Sequence, residues 1–288
     1  MSSDIILGTA TRQNLLALQD INTNLGTTQN HLATGLAVSS ALDDAVKFFQ
    51  SQSLNDRASD LSLRKDAIDQ GISSLTAATN AAQSAVTVLQ QLQGILNSAK
   101  TETAAQRKSA AVQFSTLAQQ LDTLLNDASY QGLNLVNSSS SSLTLQFSNS
   151  TASKLKIAGQ NLLYSKIVTA GKISKVSNAA KNLVTLGFSA VSNKTSVFDN
   201  AFNALQTAIG TVQAAAASIG GNVTFLQTRL DFTSQYIVTL QGGARKLTVA
   251  DVNLESTNLV TLQTRQSLAI QSLSIATQSE QAVLRLFR

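Results

Sequence analysis

Apolar residues recur with a seven-residue spacing near both ends of the chain. Close to the amino end they are Leu15, Leu18, Ile21, Leu25 and Leu32. In the last forty or so residues they are Val252, Leu259, Leu262, Ala269, Leu273, Ala276, Val283 and Phe287. Polar residues interrupt the two stripes at Asn22, Gln29, Glu255, Gln266 and Glu280. Because a helix cannot bury its own apolar stripe, we expect the two terminal helices to pair with each other.

Helical spacing continues into the interior of the chain. Asp43 and Asp44 place two acids at a helix start, where they favour the helix dipole, and apolar residues follow at helical spacing as far as Asn97. The pattern predicts a break near Lys100 to Thr103 and a second helix from about Ala104 to Ala128. A continuous first helix would extend roughly 80 Å at 1.5 Å per residue, a length that suits a rod.

The middle of the chain has a different pattern. A run of serines, Ser138 to Ser142, precedes Leu143 to Phe147, where apolar and polar residues alternate. Lys154 to Ile157 alternates in the same way, and Leu183 to Val191 is rich in apolar and β-branched residues. Such alternation predicts short half-buried strands, so residues 133–195 are expected to form a small β-rich region.

Helical spacing returns from Val197 to Leu240, and Gln241-Gly242-Gly243 is expected to end that helix before the carboxyl-terminal stripe begins. The sequence therefore predicts a mainly α fold. We expect a long helical rod or coiled-coil bundle, with paired N- and C-terminal helices and a small central β-rich region.

Composition supports long helices and argues against enzyme chemistry. The 288 residues include no proline, which would break helices, and no cysteine, which excludes disulfides and thiolate sites. Charged residues make up 13%, against about 25% in average proteins. Serine, threonine, asparagine and glutamine fill the difference. Such a polar but weakly ionic surface suits contact with copies of the same chain.

The residues that could carry chemistry have simpler interpretations. His31 is the only histidine, and we expect it to be a polar residue on a helix surface, because no H-E-x-x-H pattern surrounds it. The pairs Gly220-Gly221 and Gly242-Gly243 lack the lysine of a phosphate loop and are expected to be joints or breaks. Asp43 and Asp44 are expected to start a helix. We predict no catalytic residue, no metal and no cofactor.

Four short segments together resemble bacterial flagellin. Leu32 to Ala45 is similar to the family pattern L-S-[ST]-G-x-x-[IV]-x-x-A-x-D-[DN]-A, and Gln70-Gly71-Ile72-Ser73 to D-G-I-S with a glutamine in place of the acid. Tyr130 to Leu135 resembles F-[NQ]-G-x-x-[LV], and Leu284 to Arg288 the ending L-x-L-[LF]-R. The similarity covers about 100 amino-terminal and 60 carboxyl-terminal residues.

The resemblance implies a short flagellin, with little or no outer domain. The inner core domain would comprise residues 1–42 and 242–288, with the heptad helices and their joints. The rod domain would comprise the long helices of 43–132 and 196–241. Residues 133–195 would face outward.

The resemblance also implies a function: a structural subunit that assembles into the helical filament used for swimming. Export through the flagellar type III apparatus would account for the absence of a signal peptide, and the filament would lie outside the cell. The implied partners are other copies of the chain, the export apparatus, an export chaperone, the filament cap and the hook-junction proteins.

Two alternatives remain open at this point: a hook–filament junction protein, and a surface adhesin formed by residues 133–195. The full Leu32 to Ala45 pattern favours flagellin over the first. Nucleic-acid binding is not expected, since no run of Lys and Arg is present, nor is membrane insertion, since no apolar run approaches about 20 residues.

Three sets of residues are candidates for functional sites. We expect the assembly interface to include Leu15, Leu18, Leu25, Leu32, Leu259, Leu262, Leu273, Val283 and Phe287. Flagellins sensed by the vertebrate toll-like flagellin receptor carry a pattern like L-Q-R-V-R-E. In this chain Gln91 and Gln93 stand in place of the two arginines and Gly94 in place of the acid. The serine run is either simply a flexible turn on the outward face or, as the resemblance implies, a set of O-glycosylation sites: Ser138, Ser139, Ser140, Ser141 and Ser142.

Overall fold

The computed structural model describes residues 9–148, 152–170 and 195–286. The helices are α1 (Thr9–Thr34), α2 (Ala45–Ala99), α3 (Ala104–Asp127), α4 (Tyr164–Ala170), α5 (Thr195–Thr248) and α6 (Val252–Leu286). The strands are β1 (Ser129–Tyr130), β2 (Leu133–Asn134), β3 (Ser142–Gln146) and β4 (Lys154–Ala158). The predicted mainly α fold with a small central β region is confirmed.

The break between α2 and α3 lies where the sequence predicts it. At the start of α3 the backbone N–H of Thr103 donates to Gln106 Oε1 at 3.0 Å, and the carbonyl of Thr103 accepts the first helical bond from Arg107 at 2.9 Å. Gln106 therefore satisfies an amide that a helix start leaves without a partner.

The predicted end of the long helix at Gly242-Gly243 is wrong. Both glycines lie inside α5, which continues to Thr248, and Gly220-Gly221 also lie within it. A glycine costs a helix only about 1 kcal/mol. Tertiary packing outweighs this cost, because Leu240 and Ala244 on either side are buried.

The chain turns at residues 249–251, after α5. Asp251 Oδ1 accepts the backbone N–H groups of Asn253 at 3.0 Å and Leu254 at 3.2 Å. This capping aspartate starts α6, so the signal for the joint is Asp251 and not the glycines before it.

Contacts divide the chain into two units, Met1–Ser59 with Val238–Arg288, and Asp60–Ile237. The second unit has an extensive core made by α2, α3, α5 and the strands. Its largest fully buried side chains are Ile68, Leu75, Leu89, Leu92, Leu96, Leu121, Leu125, Leu162, Leu205, Leu226, Val136 and Val212. Those of α2 are spaced by three, four, seven or fourteen residues, so one side of that helix faces the core in this unit.

Two antiparallel strand pairs form the described part of the central region. In the β3–β4 pair, Leu145 lies opposite Leu155 and Leu143 opposite Ile157, which confirms the two strands predicted there. The further strand predicted at Leu183 to Val191 lies outside the described residues.

Asn134 joins the end of α3 to the first strand pair. Its buried side chain donates to the carbonyls of Leu125 at 2.7 Å and Asn126 at 3.1 Å. Its Oδ1 accepts the backbone N–H groups of Val136 at 2.9 Å and Asn137 at 3.0 Å. One side chain thus satisfies two helix-end carbonyls and two loop amides, groups that are costly to bury without partners.

We expect Asn134→Ala to lower the free energy of unfolding by at least about 2 kcal/mol, because it leaves buried polar groups without partners. Urea unfolding followed by circular dichroism measures this loss. Asn137→Ala is the matched control, since its amide makes only a long contact of 3.4 Å to Asn126. Equal stability of the two variants would contradict the assigned role of Asn134.

Candidate functional site: the paired terminal helices

Helices α1 and α6 pack side by side and antiparallel in the first unit. On each helix, one row of positions spaced by three and four residues is less exposed than the rest. We call these two rows the seam. On α1 it comprises Thr11, Asn14, Leu18, Ile21, Leu25, Thr28 and Leu32, and on α6 Glu255, Leu259, Leu262, Gln266, Ala269, Leu273 and Ala276. The alternating spacing is that of a coiled coil.

Two polar pairs cross between the helices. His31 Nδ1 lies 2.9 Å from Glu255 Oε1, with the two side chains 21% and 13% exposed, and Gln266 donates from Nε2 to Asn22 Oδ1 at 2.7 Å. His31 is a partly exposed polar residue of α1, and its acidic partner was not predicted. Glu255 is 224 positions away in the sequence, so only the pairing of the termini brings the two together.

The seam lacks a core of its own. Among the described side chains from Asp251 to Ala282, none is buried, and on α1 the buried ones are the hydroxyl residues Thr11 and Thr28. Each helix therefore covers one stripe of the other, and no third element covers the pair in the described part of this unit. Most helical stability in proteins comes from tertiary packing, so this pair lacks the stabilisation that the core gives the second unit.

The structure places most of the predicted interface residues in the seam, between the two ends of the same chain. These are Leu18, Leu25, Leu32, Leu259, Leu262 and Leu273. Leu15 lies beside the seam and is 38% exposed. The side chain of Val283 and the whole of Phe287 lie outside the described residues.

A second apolar row was missed in the sequence. Leu254, Leu268 and Ile275 are exposed on α6, and their spacing of seven or fourteen residues puts them on one side of the helix, away from the seam. Leu16 is likewise exposed on α1. Threonine at position 261 and glutamines nearby interrupt this row, so the stronger leucine stripe of the seam conceals it in the sequence.

The joint that follows α1 begins with a glycine in the left-handed conformation. Gly35 has φ of 70°, a conformation that glycine adopts without steric cost. Its carbonyl accepts the N–H of Ala250 at 3.0 Å, and the carbonyl of Thr248 accepts the N–H of Ala37 at 2.8 Å. The two chain segments at the joint are therefore held together by backbone hydrogen bonds.

Asp43 organises the turn before α2. Its Oδ2 accepts the backbone N–H groups of Ser40 and Ser39, both at 2.9 Å, and the Ser39 hydroxyl at 3.0 Å. These hydrogen bonds, that of the Ser40 amide above all, lower the pKa of the Asp43 carboxyl. Asp44 Oδ1 accepts the N–H of Lys47 at 3.0 Å. Both acids therefore act at the helix start, as predicted.

Exposed apolar side chains also gather around this joint. Leu42 is 97% exposed, and Val46 and Phe49 are more than half exposed. With Ala45, Leu54 and Leu247 among its lining residues, an open groove of about 690 Å³ lies along the start of α2. The first unit thus presents apolar surface both on the terminal helices and at the joint.

The other two candidate sets lie in the second unit. Gln91 and Gly94 are exposed on α2, and Gln93 donates to Gln206 Oε1 at 3.0 Å. Of the serine run, Ser139 and Ser140 are exposed, whereas the remaining three are half-buried. Across the described helices, no segment is both long and apolar enough to cross a membrane.

Long paired helices that expose polar and apolar surfaces are typical of a structural protein. The family model described as bacterial flagellin N-terminal helical region matches residues 7–141. The chain is similar to a flagellin of Brucella melitensis, with 26% identity over 274 residues covering 95% of each chain. It also resembles flagellin FljK of Caulobacter vibrioides, with 26% identity covering 95% of this chain and 96% of that one.

Flagellin C of Rhizobium meliloti is 26% identical over 320 residues, covering 99% of both chains. A solved structure, a putative flagellar hook-associated protein from Vibrio parahaemolyticus, matches with a TM-score of 0.62 at 14% identity, covering 72% of this chain and all of that one. This match to a solved structure supports the fold alone. Nearly the whole chain is thus similar to flagellins, and these similarities support a structural subunit of the flagellar filament.

We expect the backbone N–H resonances of Ser39 and Ser40 to titrate with a midpoint below the ordinary aspartate pKa of 3.8. A lowered folded-state pKa means that the contribution of Asp43 is present above the ordinary value and is lost as pH falls through the lowered one. Nuclear magnetic resonance from pH 6 to pH 2 measures the midpoint. The titration should vanish in Asp43→Asn; a midpoint above 3.8 would contradict the assignment.

Proposed function

We propose that the terminal helices carry the assembly of this filament subunit. In this proposal α1 and α6 of one copy pair along the seam and then pack their remaining apolar faces against neighbouring copies. The observation that carries it is the burial pattern of α6, which buries no described side chain between Asp251 and Ala282 although apolar residues recur on two of its sides.

The energies favour assembly over a solitary helix pair. Complete burial of one leucine or isoleucine side chain contributes about 1.5–3 kcal/mol. Four such side chains on the outer faces of α1 and α6, Leu16, Leu254, Leu268 and Ile275, are exposed, so their burial offsets much of the roughly 4–15 kcal/mol that association costs in lost freedom. The joint groove beside Phe49 adds further apolar surface.

Similarity to flagellins supports the finer partners and the route to the filament. We infer export by the flagellar type III apparatus, with a chaperone before export and the cap and hook-junction proteins at the two filament ends. The exposed hydroxyls of Ser139 and Ser140 favour those two as O-glycosylation sites within the serine run. The hook–filament junction role is less well supported, because the relatives that match nearly the whole chain are flagellins.

We expect Leu268→Lys with Ile275→Lys to raise the critical concentration for polymerisation at least about 100-fold. The lost burial of two side chains amounts to about 3 kcal/mol or more. Seeded polymerisation followed by light scattering and electron microscopy measures this. Gln271→Lys with Gln278→Lys is the matched control, since it adds the same charge at exposed polar positions of α6.

The monomer of both variants should keep its helical circular dichroism, since all four positions are exposed. A truncated chain without the first ~35 and last ~40 residues should remain folded through the core of the second unit and form no filaments. Normal filaments from Leu268→Lys with Ile275→Lys would refute the proposal.

We also propose that the segment around Gln91 escapes the toll-like flagellin receptor. Gln91 and Gly94 are exposed but uncharged, and a missing interface arginine can cost 2 kcal/mol or more. Receptor activation in reporter cells should therefore be weak. The triple variant Gln91→Arg, Gln93→Arg and Gly94→Glu should raise it at least tenfold, and the space around Gly94 admits a side chain. Strong activation by the unchanged chain would contradict the proposal.

A further inference from the structure

The charges of this chain are distributed unevenly. Residues 128–198 contain seven lysines, no arginine and none of the 16 acids, although they make up 71 of the 288 residues. The rest of the chain holds 14 basic and 16 acidic residues. The formal net charge of +5 therefore comes from residues 128–198, because the rest of the chain has two more acids than bases.

The described part of this region displays lysines on one face of the β3–β4 pair. Lys154 and Lys156 are exposed, whereas Leu155 and Ile157 between and after them turn toward the other side, and Ile157 is buried. Two residues along a strand separate the two lysines by about 6.6 Å. Their cross-strand partners are Gln146 and Thr144, so no acid lies opposite either ammonium group.

The β3–β4 strand pair packs against α2. Leu145 of β3 is buried and lies against Gly71 of α2, where a Cβ atom would collide with the leucine. Both residues belong to the second unit. The lysine face is therefore displayed on a fixed surface rather than on a free loop, which lowers the ordering cost of binding.

We propose that this face binds an acidic polysaccharide. The ammonium groups of Lys154 and Lys156 would contact successive carboxylates of the polymer, and the hydroxyl and amide groups of Thr144 and Gln146 would accept and donate hydrogen bonds with sugar hydroxyls. The proposal adds a surface-binding role to the filament subunit and does not replace it.

The side chains favour a polysaccharide over a nucleic acid or a membrane. Nucleic-acid surfaces use arginine and exposed aromatic rings, but among residues 142–148 and 152–158 no arginine occurs and the aromatic Phe147 is buried. A membrane-surface site would present apolar side chains for insertion. The exposed members of this face are instead lysines, a threonine and an alanine, with half-buried Ser142 and Gln146.

Binding by one copy is weak, because exposed ion pairs contribute at most about 1 kcal/mol each. Repetition along a filament multiplies the contacts and raises avidity by 10²–10⁴. This step rests on the proposed polymerisation. The monomer and the filament are therefore tested separately, so that a failure of assembly and a failure of binding give different results.

The test uses the full chain, as monomer and as seeded filament, with polygalacturonate as the acidic probe and dextran as the neutral one. Lys154→Gln with Lys156→Gln should lower filament binding to polygalacturonate at least tenfold and flatten its salt dependence. Lys108→Gln with Lys246→Gln, which removes two exposed lysines elsewhere, should leave binding unchanged. Sedimentation of filaments with labelled polymer measures the binding of both double variants.

Wild-type filaments should bind polygalacturonate at least a hundredfold more tightly than the monomer does and should not bind dextran. Equal loss in the two double variants would overturn the proposal, since the net charge alone would then account for binding. Equal or tighter binding of single-stranded DNA or of anionic vesicles would overturn the choice of polysaccharide. Failure to polymerise would contradict the assembly proposal, whereas filaments that form but do not bind would contradict this one.

Discussion

The packing of the two terminal helices on each other is the constraint on which the rest of this protein depends. The pairing of α1 and α6 brings together residues more than 200 positions apart, such as His31 and Glu255, yet the described part of α6 contributes no buried side chain to the seam. Each helix covers one stripe of the other and leaves its remaining faces exposed. In the proposed assembly, neighbouring copies supply the stabilisation that a core would supply within one chain.

The polar pairs of the seam define which residues meet. A seam of leucines alone permits shifts of one heptad with little loss, whereas a buried or half-buried polar pair penalises every other register. Here exposed Asn22 meets half-buried Gln266, and half-buried His31 meets Glu255, two pairs about two and a half turns apart along α1. A shifted pairing would separate both pairs. The seam occupies one stripe of α6 and leaves Leu268 and Ile275 exposed on another side.

Much of this architecture could be predicted from the sequence, because periodicity reports which side of a helix is covered. The pairing of the termini, the break before Thr103 and the strands near Leu145 and Leu155 follow from it. One error and one omission have physical reasons. Gly242-Gly243 suggests a break because glycine favours one locally, but buried neighbours keep α5 continuous. The partner of His31 could not be found by local patterns, since it lies at the other end of the chain.

The two units differ in how much core they bury, and this difference explains which surfaces are available for binding and assembly. The second unit buries leucines from three helices and satisfies loop groups through Asn134, so it can display the Lys154 and Lys156 face on a fixed support. The first unit has hydrogen-bonded turns at Gly35 and Asp43 but little core. A subunit that must join others needs this division, because a surface already satisfied within one chain gains nothing from a neighbour. The stable unit keeps the subunit folded while the exposed faces of α1 and α6 remain available for assembly.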